Sequence, residues 1–172
     1  MDSVAQAADK RHEPETSEAM ILAYTISPAP GAADRRTYVQ HAITDQDALP
    51  ADAVWIDLIV PTRMEDDKVE NYLSITIPTR EEMADIEPSE IIYAEPNARY
   101  MTARILCSSE TEAPTLADVT FILTEKTLVT VRYDEPKSFS MFAGRVTKAS
   151  GLLLTELQRA DLGEGCACCH PK

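Results

Sequence analysis

The sequence predicts an α/β domain, a mixed and largely antiparallel sheet sandwiched between helices. Runs of apolar side chains with period two recur along the chain and are joined by short connections, as in Val54, Ile56, Leu58 and Val60 alternating with Trp55, Asp57 and Ile59. Two T-x-x-E pairs, Thr62 with Glu65 and Thr79 with Glu82, announce helix starts between those runs. An amphipathic stretch behind Pro136 supplies a further helical layer.

Residues 1–19 are polar, with little to bury, and are expected to be disordered. Residues 20–157 are expected to form the domain, and residues 158–172 an atypical cysteine-rich tail. Within the domain, residues 20–26 and 37–42 read as strands around a loop containing Pro28, Pro30 and Gly31. A strand over 53–60 is followed by helices over 63–74 and 80–87, with Pro78 before the second helix and Pro88 closing it. A strand over 91–95 turns through Pro96, Asn97 and Ala98 into a strand over 100–107. There Met101, Ala103, Ile105 and Cys107 share one face, so that Cys107 is a small core residue. Strands over 118–124 and 128–133 form a hairpin across Glu125 and Lys126. Val119, Phe121 and Leu123 face one way, as do Val129, Val131 and Tyr133, and these faces need helices over them. A helix over 136–148 and a segment from Ser150 carrying Leu152, Leu153, Leu154 and Leu157 complete the pattern.

The charge balance narrows the function. Sixteen basic against twenty-nine acidic side chains give a formal charge of −13, which opposes binding to nucleic acid or to an anionic membrane surface. Such a charge makes either a cation-attracting field or simply a solvated acidic surface. No apolar run approaches the roughly 20 residues needed to cross a bilayer, and the first residues lack the pattern of a signal peptide, so a cytosolic location is expected. No Gly-rich phosphate loop, G-x-S-x-G or H-E-x-x-H motif is found, and no enzyme activity is expected. His41 stands alone without a ligand partner at metal spacing and is expected at a surface or edge. Asp57 is expected to be half-buried and bonded to nearby backbone N–H groups. Cys166, Cys168, Cys169 and His170 are too crowded to close a tetrahedron around zinc or copper easily.

The second capped segment is the informative one. At 100° per residue, Glu81 and Asp85 fall on one side and Met83 and Ile86 on the other. The apolar pair must dock, so the carboxylates are expected to face solvent, a neighbouring subunit or a cation.

Taken in order, Trp55-Ile56-Asp57-Leu58, Leu73-Ser74-Ile75, the run from Pro78 to Glu87 and Tyr100-Met101-Thr102-Ala103 are similar to the amino-terminal cytosolic domain of the CorA family of divalent cation transporters. Val119 to Leu123, Leu128 to Tyr133, Pro136 and Phe139 extend the resemblance, which covers roughly residues 20–157. The resemblance implies the CorA-type cytosolic funnel fold and a soluble regulatory and assembling role in a transporter of Mg2+, Co2+ or Ni2+, on the cytoplasmic side of the cell membrane. It implies that Asp85, with Glu81 beside it, helps to hold a regulatory Mg2+ between neighbouring subunits of a homopentamer, opposite an acid on a stalk helix. Transport in that family belongs to membrane helices and a Gly-Met-Asn signature, which this sequence does not contain, so contact with the membrane would come only through such helices. The chain departs from the family after Leu157, and is expected to be a frameshifted fragment or a short natural form. The other reading is a free-standing soluble protein that binds metal or a partner without serving a channel. Cation preference, and zinc efflux as in the ZntB branch against magnesium uptake, are left open by the resemblance.

Overall fold

The computed structural model describes residues 20–29, 32–87, 91–107 and 113–148. The expectations for residues 1–19, for the leucine-rich segment from Ser150 and for the cysteine tail lie outside the described residues. Strand β1 (Met20–Ala29) and strand β2 (Ala32–Ile43) form a long antiparallel hairpin. Much of the expected loop between them is therefore strand. Pro28 is tolerated there because β1 pairs with the next strand only as far as Thr25, so the missing N–H interrupts no ladder on that side.

Strand β3 (Ala53–Ile59) leads into helix α1 (Arg63–Leu73) and helix α2 (Arg80–Ala84). Strands β4 (Ile92–Ala94), β5 (Arg99–Cys107), β6 (Thr115–Leu123) and β7 (Leu128–Arg132) form a meander, and helix α3 (Lys137–Lys148) follows. The sheet has seven strands in the order β2-β1-β3-β7-β6-β5-β4, with β3 and β7 parallel and every other pair antiparallel. The mixed, largely antiparallel sheet read from the sequence is thus what the chain forms.

Each face of the sheet carries its own core. On one side Ile21, Ala23, Ile56, Leu58, Ile122, Val129 and Val131 pack with Val69 of α1 and Met83 of α2. On the other, Tyr24, Trp55 and Val119 lie with Phe139 and Val146 of α3. Strand β3 sits between the two, and five of its seven residues in succession are buried on alternate faces. In β5 the alternation differs from expectation near its start. Tyr100, which packs into the core shared with α1 and α2, and Thr102 are the buried pair, and Met101 is exposed; Cys107 is buried as expected. His41 lies on the edge strand β2, 3.0 Å from the Thr25 hydroxyl.

Both T-x-x-E pairs form complete capping boxes. The chain reaches the first through Val60, which lies in the left-handed region with φ 48°. Its N–H donates to the Arg132 carbonyl at 2.8 Å, which holds the turn against β7. A β-branched residue pays about 1–2 kcal/mol for that conformation, and Asn tolerates it better. Val60→Asn is expected to raise the melting temperature by a few degrees, corresponding to about 1 kcal/mol. A thermal melt followed by circular dichroism checks this, and a lowered midpoint would mean that the packing of the valine methyls outweighs the strain.

Candidate functional site

Helix α2 is five residues long and would not persist alone in water. Three contacts hold it. The Thr79 N–H donates to Glu82 Oε2 at 2.8 Å, and the Glu82 N–H returns to Thr79 Oγ1 at 3.3 Å. The Thr79 N–H first, and then its hydroxyl donating to Glu82 Oε2 at 3.0 Å, stabilise the charged form of Glu82 and lower its pKa. Met83 is 2% exposed and plugs α2 into the core shared with α1. The helix ends earlier than the sequence predicted. Asp85 is its C-cap, with φ −95° and its N–H on the Glu81 carbonyl at 3.1 Å, so Ile86 and Glu87 lie beyond the helix.

Glu81 and Asp85 are both exposed, and Ile86 is half-buried. Asp85 lines a cleft of about 600 Å³ between α2 and the β4–β5 hairpin, which Glu82 and Glu95 also line and Glu81 does not. Glu82 is committed to its cap, and Glu95 Oε2 accepts the Tyr100 hydroxyl at 3.0 Å. Among the described residues no group of three or more His, Cys, Asp or Glu side chains is placed to hold a metal ion. Carboxylates such as those of Asp85 and Glu81 are the hard oxygen donors that Mg2+ prefers, but among the described residues no coordination shell is assembled around them.

A second polar site was missed in the sequence. Asp57, expected to bond to nearby backbone, instead lies 2% exposed on β3 and pairs with the Arg132 side chain of β7. Arg132 Nη2 donates to Asp57 Oδ2 at 2.9 Å and its Nε to Oδ1 at 3.2 Å, while the Thr130 hydroxyl donates to Oδ1 at 2.6 Å. Trp55 Nε1–H donates to the same Thr130 hydroxyl at 3.0 Å. Arg132 also lies over the Phe139 ring, 4.9 Å from its centroid, and Tyr24 stacks on Trp55 at 4.2 Å. Burial, and then the Asp57 charge, push the Tyr24 phenol up to about 12, with Arg132 opposing. Beside this network, under α3, lies a cavity of about 300 Å³. Asp57 spends its acceptors on Arg132 and Thr130, so the network binds strand to strand and has no nucleophile and base to offer. The available signal was an acid and a base both at inward-facing positions of apolar strands.

No family model matches the chain. The magnesium transport protein CorA of Mannheimia succiniciproducens is 27% identical over 93 residues, 54% of this chain and 29% of that protein. The CorA protein of Sodalis glossinidius is 28% identical over 101 residues, 59% of this chain and 32% of that protein. The matched stretch thus spans about a third of the length of these curated relatives. The soluble domain of CorA from Methanocaldococcus jannaschii superposes with a TM-score of 0.52 at 15% identity, over 74% of this chain and 46% of that one. The chain is homologous to CorA magnesium transport proteins, and its fold is that of the CorA soluble domain. Its relatives are named as transporters, which agrees with the expectation that it is not an enzyme. Among the described residues no helix is long and apolar enough to cross a membrane.

Removing one partner of the buried pair leaves the other charge uncompensated. Asp57→Ala is expected to lose about 3–5 kcal/mol in urea unfolding, with the combined Asp57→Val and Arg132→Met variant losing much less. Equal losses in both would assign the effect to packing rather than to the orphaned guanidinium.

Proposed function

We propose that this chain acts as the regulatory and assembling domain of a CorA-like divalent cation transporter, and that Asp85, with Glu81 nearby, binds Mg2+ weakly where copies of the domain meet. The observation that carries this reading is a five-residue helix, capped at Thr79 and anchored by Met83, that ends on an exposed aspartate. Such a helix has no packing reason to end in acid, whereas its two carboxylates repel any like-charged neighbour until a hard cation bridges them. The acidic formal charge of −13 favours the same ligand class. Two exposed carboxylates also fit Co2+ and Ni2+, which are kept as alternative cargo of a complete transporter. Self-association would then depend on divalent cation, and conduction would belong to segments other than this sheet and its helices.

Millimolar Mg2+ is expected to raise the melting temperature of the full chain, with a shift that grows with the logarithm of concentration above the dissociation constant. Asp85→Ala should abolish that rise, and Glu81→Ala should reduce it. The same variants in sedimentation velocity should lose any Mg2+-dependent oligomer. A shift that survives Asp85→Ala sinks the assignment, and a chain that neither shifts nor associates favours a free-standing protein with another partner.

A further inference from the structure

Asp66 lies in the first turn of α1, with its N–H on the Thr62 carbonyl at 3.0 Å, yet its side chain points inward and is only 6% exposed. Its Oδ1 is buried and has no hydrogen-bond partner among the described residues. An acid in that state is far less costly neutral than ionised. Its charged neighbours reinforce the preference. Glu65, Asp67 and Glu70 stand on the same helix, opposed by Arg63 alone, and Arg63 already bonds Asp67 at 2.9 Å. Facing it from beyond β7 is Tyr133, which also senses Glu81 and whose ring carries Arg80 of α2 at 5.5 Å from its centroid. Tyr133 also packs against the core that Val69 of α1 and Met83 of α2 share, so it adjoins both helices. Burial first, and then Glu70, push the Asp66 carboxyl up to about 6, with Arg63 opposing and Asp67 and Glu65 adding.

We propose that Asp66 is a proton-operated latch in the seam where α1, Tyr133 and α2 meet: neutral, it lets α2 seat firmly, and ionised, it loosens the seat. The direction follows from linkage. A folded pKa above the unfolded value means that the stabilisation is fully present below about pH 4 and is lost as pH rises through about 6. Helix α2 feels this first, because it is five residues long and is held by one capping box, one buried methionine and the stacking of Arg80 on Tyr133. Since α2 presents Asp85 and Glu81, acidity would set how firmly those acids are displayed. That consequence rests on the cation reading above, and the latch itself does not.

The test uses the full chain in EDTA, so that no divalent cation takes part. Carboxyl 13C NMR is expected to show Asp66 titrating with a midpoint near 6, about a hundredfold shift in proton affinity from an ordinary aspartate. Protection factors for the Met83 and Asp85 amides, whose N–H groups bond Thr79 and Glu81, should fall about tenfold between pH 5 and 7.5. Asp66→Asn should remove that fall, whereas Asp67→Asn, the same charge change at a half-buried neighbour, should leave it. A wild-type midpoint near 4 overturns the proposal even if Asp66→Asn does not fold. An unchanged fall in Asp66→Asn, or its equal loss in Asp67→Asn, overturns it as well.

Discussion

The structure depends on the parallel pairing of β3 with β7. Among the described residues it is the only seam joining the β2–β1–β3 half of the sheet to the β7–β6–β5–β4 half, and its partners lie more than seventy residues apart, as Asp57 and Thr130 do. Apolar strands at that separation could slide, since Val, Ile and Leu recur on both faces. The Asp57–Arg132 pair prevents this. A slip of one residue would turn Arg132 to the face occupied by Ile56, Leu58 and Val131, leaving two buried charges without partners. Thr130, bonded to both Trp55 and Asp57, and Thr127, whose hydroxyl donates to the Ala53 carbonyl at 2.8 Å, hold the same register from either side. The polar network stabilises a choice of pairing more than it adds net energy.

What was legible in the sequence was local. The two capping boxes, the hairpin across Glu125 and Lys126, and the buried strand around Trp55 each rest on residues within a few positions of one another, and each formed as read. What was not legible needed a partner distant in sequence. Pro28 reads as a loop residue until it is known that β1 has lost its β3 neighbour at that point. Asp57 reads as a residue seeking backbone, because nothing near it in sequence carries the guanidinium it binds. Asp66, an acid in the first turn of α1, has nothing near it in sequence to show that the fold turns it inward. The end of α2 was misjudged for a related reason: Pro88 sets an outer limit to the helix, but Asp85 already ends it.

For the candidate site, the residue types were legible and the shell was not. Asp85 and Glu81 are exposed, as the helical period requires, but only Asp85 looks into the cleft toward β4 and β5. Because α2 is so short, the position of Asp85 is set less by the helix than by what grips its two ends. Thr79 and Glu82 grip one end, and Met83, two residues and just over half a turn before Asp85, holds it near the other.

This arrangement separates stability from responsiveness. The seam around Asp57 is buried on both sides and tied through side chains from two strands, and its polar network lies on the α3 face of the sheet, opposite α2. Helix α2, by contrast, adds one large side chain to the opposite core and little else, so it can tighten or loosen without disturbing strand register. Under the proposed function, register and response to a ligand would thus be kept on opposite faces of the sheet. A ligand of the kind proposed for α2 would need to offset only a few local contacts, and a modest binding energy would suffice to shift its population.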